Sequence, residues 1–131
     1  MEKAILLVDD DADDRMLFEE IYAELGYNKE QLMQLENGQE VVDFIAEKNA
    51  ETLPALIILD HNMPKMTGEQ TLRYLKSNPE YSNIPVVIYS TSIFGQFAED
   101  CKELGAVLVL EKPGLYRDYN EMIAKVMSLV Q

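Results

Sequence analysis

Short apolar runs return along the chain at nearly regular intervals, and this spacing most limits the folds open to it. The runs are residues 5–8, 32–35, 56–59, 86–89 and 107–110. Their starts lie 27, 24, 30 and 21 residues apart, and one βαβ unit occupies about 30 residues. Four runs are apolar at nearly every position, which is typical of parallel strands covered by helices on both faces. The run at 32–35 is more polar and predicts an edge strand.

The segments between the runs carry apolar residues three and four positions apart, a spacing that predicts helices. Gly26 and Gly105 follow the first and fourth of these patterns, where a C-terminal helix cap is expected. The fourth pattern is carried by Ile93, Phe97, Cys101 and Leu104. Five βα units fill the chain, so we predict an α/β fold with a doubly wound parallel sheet. Residues 1–131 are expected to form a single domain with no output domain attached.

The composition excludes several classes of function. The 131 residues include 11 Lys and Arg against 24 Asp and Glu, a formal net charge of −13, which would repel nucleic acids and anionic membranes. The apolar runs are far shorter than the roughly 18 residues of a membrane span, and the N-terminal residues do not resemble a secretory signal. Cys101 is the only cysteine, so an internal disulfide is excluded. These features predict a cytoplasmic protein.

Polar side chains follow four of the apolar runs at the point where each run ends. They are Asp9, Asp10 and Asp11 after the first run, Asp60 and Asn62 after the third, Ser90 after the fourth and Lys112 after the fifth. In an open parallel sheet, ligands bind beyond the carboxyl ends of the strands. We therefore expect carboxylates, a hydroxyl and an ammonium group to meet at one rim.

The carboxylates at this rim predict a metal ion. Two like charges about 4 Å apart repel by about 4 kcal/mol near a protein surface, and an open site of oxygen ligands suits Mg²⁺ better than Ca²⁺. Asp9 and Asp10 directly follow the strand, which favours metal binding. Asp11, Asp13 and Asp14 are interpreted mainly as residues that cap and start the following helix.

Asp60 and two partners suggest covalent chemistry. A carboxylate beside a metal can act as a nucleophile, and Asp60 follows a central strand. Ser90 could cap the following helix, or it could join Lys112 in holding oxygens of a phosphoryl group.

Together the motifs resemble the receiver domain of two-component response regulators over essentially the whole chain. The resemblance is carried by Asp9-Asp10, Asp60-x-Asn62-Met63-Pro64, Ser90, Gly105-Ala106 and Lys112-Pro113, in that order and at the spacing of the family. It implies a flavodoxin-like (βα)5 fold with strand order 2-1-3-4-5. It also implies that a sensor histidine kinase or a histidine phosphotransfer protein donates a phosphoryl group to this chain.

The resemblance further implies a role for each rim residue. Asp60 would be the phosphoacceptor. Mg²⁺ would be bound by Asp10, Asp60 and the backbone carbonyl of Asn62, and by Asp9 through a water molecule. Ser90 and Lys112 would contact the phosphoryl group, and the Lys112–Pro113 peptide bond is expected to be cis.

Three positions depart from the family pattern or invite another interpretation. Val109 occupies the position where many receivers carry an aromatic residue that moves on phosphorylation, and Tyr89 is interpreted as a packing residue rather than its replacement. Gly114 stands where an aromatic residue is common. His61 adjoins Asp60 but is expected to point away from it and to play no catalytic part.

Two other functions remain open from the sequence. A haloacid-dehalogenase-like phosphatase also uses an Asp nucleophile with Mg²⁺, but Asp13 stands where its motif needs Thr or Val. A receiver-like module that binds partners without phosphorylation is the other alternative. A flavin-binding module is disfavoured, because the aspartates between Asp9 and Asp14 would repel its phosphate.

The predicted protein is a signalling phosphoacceptor rather than an enzyme acting on a free metabolite. Its output is expected to pass through the surface formed by the fourth helix, the fifth strand and the fifth helix, which would bind a protein target or a second copy of the chain. Movement in the loop from Ser90 to Gly95 is expected to carry the change.

Overall fold

The fold alternates strands and helices along the whole chain, as the apolar spacing predicts. The computed structural model describes residues 3–91 and 95–130. The strands are β1 Ile5–Val8, β2 Leu32–Leu35, β3 Leu56–Asp60, β4 Val86–Ser90 and β5 Leu108–Glu111. The helices are α1 Ala12–Glu24, α2 Gly38–Ala46, α3 Gly68–Ser77, α4 Phe97–Leu104 and α5 Tyr116–Met127. Short 3-10 turns occupy Lys29–Gln31 and Ser128–Val130.

The strands form one parallel sheet in the order β2-β1-β3-β4-β5, so the predicted flavodoxin-like fold and strand order are confirmed. Every residue of β1, β3 and β4 is buried, whereas residues of the outer strands β2 and β5 are partly exposed. The more polar second run therefore forms an edge strand, as predicted. The fifth strand begins one residue later than the apolar run at 107–110. Val107, the first residue of that run, precedes β5 and is 45% exposed.

Two apolar layers cover the two faces of the sheet. Alternate residues of each strand point to opposite faces, and on β4 Ile88 packs in the layer under α2, α3 and α4 while Tyr89 packs in the layer under α1 and α5. Val109 packs against the first of these layers. Burial on both faces explains why the central strands are apolar at nearly every position.

Local signals fix several helix ends. The Asp11 side chain accepts hydrogen bonds from the backbone N–H groups of Asp13 and Asp14 at the start of α1, as predicted for a capping residue. Thr67 and Gln70 form a reciprocal capping box at the start of α3. Gly105 ends α4 with a φ of 115°, which glycine adopts without steric cost. Ile93, assigned to the fourth helix from the sequence, lies outside the described residues.

The first residue of α3 lies close against the end of β3. The Gly68 N–H donates to the His61 carbonyl at 3.1 Å. A Cβ at Gly68 would stand 2.6 Å from the Asp60 carbonyl oxygen, closer than real Cβ contacts allow. The absent side chain at position 68 thus lets α3 pack directly against the backbone that carries Asp60.

In the described part of the chain, none of the helices has the length and apolar character that crossing a membrane requires.

Candidate functional site

The carboxyl ends of β1, β3, β4 and β5 bring the predicted rim residues together. Oxygen atoms of Asp9, Asp10 and Asp60 lie within 4.8 Å of one another. The Lys112 ammonium nitrogen lies 2.9 Å from Asp9 Oδ2 and 3.5 Å from Asp60 Oδ2. Ser90 is fully buried at the end of β4. Residues far apart in the sequence therefore form one acidic cluster around a lysine.

Asp9 is the most fully bonded carboxylate of this cluster, and it is fully buried. Its Oδ2 accepts hydrogen bonds from the Tyr89 hydroxyl at 2.6 Å and from Lys112 Nζ at 2.9 Å. Its Oδ1 accepts one from the Asp11 N–H at 3.0 Å. A buried carboxylate is stable only when donors replace the water it loses, and these three donors do so for Asp9.

Asp60 is also buried but has weaker partners. The Asn62 N–H lies 3.4 Å from Asp60 Oδ1, near the outer limit for a hydrogen bond. Burial is the main cause that raises the pKa of Asp60 from 3.8 to about 7; Lys112 opposes this rise, and the charge of Asp9 adds to it. The surroundings of Asp60 therefore stabilise its charged form less well than water does.

Lys112 is held by three carboxylates. Besides Asp9 and Asp60, Asp14 Oδ2 accepts a hydrogen bond from its Nζ at 2.9 Å. Burial alone would lower the pKa of Lys112, but the hydrogen bonds to Asp9 and Asp14 and the charge of Asp60 raise it above its usual range. The side chain is only 6% exposed and stays charged at any ordinary pH.

The expectation of a cis Lys112–Pro113 bond is wrong. The described residues contain no cis peptide bond, and Lys112 still reaches the acidic cluster. The Lys112 N–H donates to the Ser90 carbonyl at 2.7 Å, and this continuation of strand pairing directs the side chain to the rim without help from the proline.

The remaining predicted residues lie at the open side of the cluster. Asp10 is exposed, so its carboxylate faces solvent beside Asp9 and Asp60. The Asn62 amide nitrogen lies 3.5 Å from Ser90 Oγ, a contact at the limit of hydrogen bonding. Asp10 and Asn62 thus border the opening through which a ligand would reach Asp60.

The acidic cluster fits a hard divalent cation. Asp9, Asp10 and Asp60 each offer one carboxylate oxygen, and carboxylates with open positions for water and phosphate oxygens are what Mg²⁺ uses in proteins. The raised pKa of Asp60 points the same way, because a further positive charge would relieve the repulsion that causes part of it.

Three contributors to the site were not identified from the sequence. The sequence indicates a packing role for Tyr89, and its hydroxyl also donates a hydrogen bond to Asp9. The sequence assigns Asp14 mainly to the helix start, and its carboxylate also forms an ion pair with Lys112. Arg15 Nη1 donates to the Asp9 carbonyl, and its Nη2 lies 3.7 Å from Glu36.

Two sequence signals could have found Tyr89 and Asp14. A buried tyrosine hydroxyl needs a hydrogen-bond partner, and Tyr89 adjoins the acidic rim. Asp14 lies four positions before Phe18, which is buried, and residues at this spacing share one helix face. That face turns Asp14 toward the sheet.

His61 points away from Asp60, as predicted. Its ring packs on Phe97 of α4, with 4.3 Å between the ring centroids. Within residues 3–91 and 95–130, His61 Nδ1 is the buried side-chain nitrogen or oxygen that lacks a hydrogen-bond partner. In the described part of the chain, no hydrogen bond joins the His61 side chain to Asp60, so the geometry does not support proton transfer between them.

Comparison with known proteins places this arrangement among signalling domains. Residues 5–126 match the family model of the response regulator receiver domain. Sporulation initiation phosphotransferase F of Bacillus subtilis is 30% identical over 129 residues, which cover 98% of this chain and 97% of that protein.

Two solved structures are similar over nearly their whole length. The Mn²⁺-bound form of response regulator Rcp1 has a TM-score of 0.83 at 30% identity, with 96% of this chain and 92% of that chain covered. The phosphorylated cyanobacterial phytochrome response regulator RcpA has a TM-score of 0.86 at 25% identity, with coverage of 99% and 94%. The similarity therefore extends over all five βα units.

The raised pKa of Asp60 predicts that Asp60→Asn stabilises the protein near neutral pH in the absence of divalent cations. Because the pKa rises from its ordinary value of 3.8 to about 7 on folding, the contribution of Asp60 to stability is present below pH 3.8 and is lost as the pH rises through about 7. The Asn side chain avoids this loss. We expect a gain in unfolding free energy on the order of 1–3 kcal/mol near pH 8 that shrinks toward pH 4.

Thermal unfolding of both proteins in a chelator, across this pH range, measures the effect. Glu121→Gln removes an exposed carboxylate of α5 and is the matched control. A melting temperature difference between Asp60→Asn and the parent that stays constant with pH would contradict the assignment.

Proposed function

The chain belongs to the response regulator receiver domain family, and we propose that it accepts a phosphoryl group on Asp60 and transmits this change to a partner protein. Receiver domains take phosphoryl groups from histidine kinases or phosphotransfer proteins. The observation that carries the assignment to Asp60 is its position beside Lys112, Asp9 and Asp10 at the open rim. In this proposal residues 1–131 act as one receiver domain.

Asp60 suits the role of nucleophile better than Asp9. Both oxygens of Asp9 accept hydrogen bonds, and Oδ2 accepts two. Among the described residues, the donors near Asp60 are the Asn62 N–H at 3.4 Å and the Lys112 ammonium at 3.5 Å, both at long distance. A carboxylate with fewer donors keeps more of its electron density for attack on phosphorus.

The proposed transfer forms one bond and breaks one. A carboxylate oxygen of Asp60 attacks the phosphorus of a phosphohistidine, and the phosphorus–nitrogen bond breaks as the acyl phosphate forms. The bonding electron pair passes to the imidazole nitrogen of the donor. In this proposal Lys112 and the Ser90 hydroxyl contact oxygens of the transferred group and supply the charge stabilisation that phosphoryl transfer requires.

The proposed cofactor is Mg²⁺, bound by Asp10, Asp60 and the backbone carbonyl of Asn62, with Asp9 acting through a water molecule. When bound, Mg²⁺ would neutralise part of the charge on the transferring phosphoryl group. The fit of the three carboxylates to a hard cation supports this assignment.

The phosphatase alternative is not supported by the family match. It would also require attack by Asp9, whose carboxylate is buried and held by Tyr89, Lys112 and the Asp11 N–H. We propose that the protein is not an enzyme acting on a free metabolite, and that it catalyses at most its own phosphorylation and dephosphorylation. A cytoplasmic location stays a prediction from the sequence.

Incubation with acetyl phosphate and Mg²⁺ tests the phosphoacceptor. We expect one phosphoryl group per chain, mapped to Asp60 after borohydride trapping, and no modification of Asp60→Asn. Asp13→Ala changes an exposed carboxylate at the helix start and should be phosphorylated like the parent. Modification of Asp9 would favour the phosphatase alternative, and an unmodified parent would contradict the proposal.

Removing the Asp10 carboxylate is expected to weaken Mg²⁺ binding strongly. An open site with few carboxylates depends on each of them, so Asp10→Asn should lower the affinity at least about tenfold, which is about 1.4 kcal/mol. Asp13→Ala should change it less than about twofold, because that carboxylate contributes only to the helix start. Calorimetric titration with Mg²⁺ measures both, and unchanged binding by Asp10→Asn would remove Asp10 from the metal ligands.

We further propose that the output surface comprises α4, β5 and α5, and that it binds a protein target or a second copy of the chain. Phosphorylation adds roughly −1.5 to −2 charges at Asp60, to which Ser90 and Lys112 respond. The backbone bond from Lys112 to Ser90 ties the ends of β4 and β5 together at 2.7 Å. Leu115 and Tyr116 at the start of α5 are 54% and 46% exposed and supply apolar surface for a contact.

Hydrogen exchange with and without phosphorylation tests the output surface. We expect altered protection in residues 97–111, which include α4, the helix that follows Ser90, and β5, the strand that ends just before Lys112. The predicted loop movement includes residues 92–94, which lie outside the described residues. Changes confined to α1 and α2 would show that the signal leaves by another face.

A further inference from the structure

We propose that Tyr89 is a positioning residue that keeps the Asp9 carboxylate bonded while Lys112 transfers to the phosphoryl group. This inference rests on phosphorylation of Asp60 as proposed above. It gives a functional role to a side chain that the sequence suggests is only part of the core.

The geometry brings Tyr89 and Lys112 to the same oxygen atom. The Tyr89 hydroxyl donates to Asp9 Oδ2 at 2.6 Å, and Lys112 Nζ donates to that oxygen at 2.9 Å. Lys112 Nζ also lies 4.7 Å from the centre of the Tyr89 ring. Tyr89 therefore supports both the acceptor and the donor of this ion pair.

Burial makes the shared oxygen sensitive to the loss of either donor. Asp9 is 0% exposed and Tyr89 is 1% exposed, so bulk water does not reach the space between them to replace a missing hydrogen bond. When Lys112 moves toward an oxygen of the phosphoryl group, Asp9 Oδ2 loses its cation. The Tyr89 hydroxyl then remains as its donor, and the Asp11 N–H remains on Oδ1.

Without the hydroxyl, Lys112 would be the one remaining protein donor to Asp9 Oδ2 among the described residues. Moving Lys112 would then leave this buried oxygen without a donor from the protein, which carries a free-energy penalty. The loss would oppose only the step in which Lys112 changes partner. The binding of a metal ion before that step leaves Lys112 on Asp9 and should be affected little.

Tyr89 does not replace the aromatic residue that many receivers carry at the position of Val109. Tyr89 packs in the layer under α1 and α5, whereas Val109 packs against the layer under α2, α3 and α4. The two side chains lie on opposite faces of the sheet. Tyr89 acts on the phosphorylation site through Asp9 and does not fill the space available at Val109.

The test compares Mg²⁺ binding with binding of beryllofluoride, a stable mimic of a phosphoryl group on a carboxylate. Tyr89→Phe removes only the hydroxyl. We expect its Mg²⁺ affinity to stay within about threefold of the parent, and its beryllofluoride affinity at saturating Mg²⁺ to fall about tenfold, the size expected for a hydrogen bond to a charged group.

Tyr22→Phe is the matched control. It also removes the hydroxyl of a buried tyrosine, one that donates to the Asn28 carbonyl at 3.1 Å, and both affinities should stay within about twofold of the parent. Thermal unfolding of each variant sets a titration temperature at which all of them are folded.

Each outcome decides the question. A selective loss of beryllofluoride affinity in Tyr89→Phe supports the positioning role. Equal losses of Mg²⁺ and beryllofluoride affinity would show a general loosening of the site, and no loss would show a packing role; either overturns the inference while the proposed function stands. A parent protein that does not bind beryllofluoride would overturn the proposed function and this inference with it.

Discussion

The site depends on the ion pairs between the Lys112 ammonium group and three carboxylates from different parts of the chain. Asp9, Asp14 and Asp60 come from the end of β1, from α1 and from the end of β3, and each lies within 3.5 Å of its nitrogen. Carboxylates gathered this closely repel one another when no cation lies between them. Lys112 directly follows the partly exposed edge strand β5. This strand therefore contributes to the site by positioning a cation as well as by packing.

The hydrogen bonds around the site are shorter on one face of the sheet than on the other. On the α1 side, short hydrogen bonds from Tyr89, Lys112 and the Asp11 N–H hold Asp9. On the side of α3 and α4, the Asn62 amide reaches Ser90 only at 3.5 Å. Weak contacts cost little to rearrange, so Ser90 and Asn62 can respond to a change at Asp60 at lower cost than Lys112, whose hydrogen bonds to Asp9 and Asp14 must first break.

The sequence predicted most of the fold because strand burial and helix periodicity are local patterns. The sheet order came from the family resemblance, and the rim residues came from the rule that parallel strands end together. Tyr89 packs in the core and Asp14 lies in the first turn of α1, as predicted, but the sequence analysis does not predict their contacts with the site. Their partners, Asp9 and Lys112, are 80 and 98 positions away in the sequence, and a local pattern indicates which face a side chain occupies but not which distant residue it contacts.

The close approach of Gly68 to the Asp60 carbonyl limits how far the end of β3 can move relative to α3. Helix α3 is anchored by its capping box and lies directly on the last peptide of β3, where an added Cβ would stand 2.6 Å from the carbonyl oxygen. The backbone that carries Asp60 can therefore shift only if α3 shifts with it. If Asp60 is phosphorylated as proposed, the segments that follow β4 and β5 would therefore have to accommodate the added group, rather than the backbone at the end of β3.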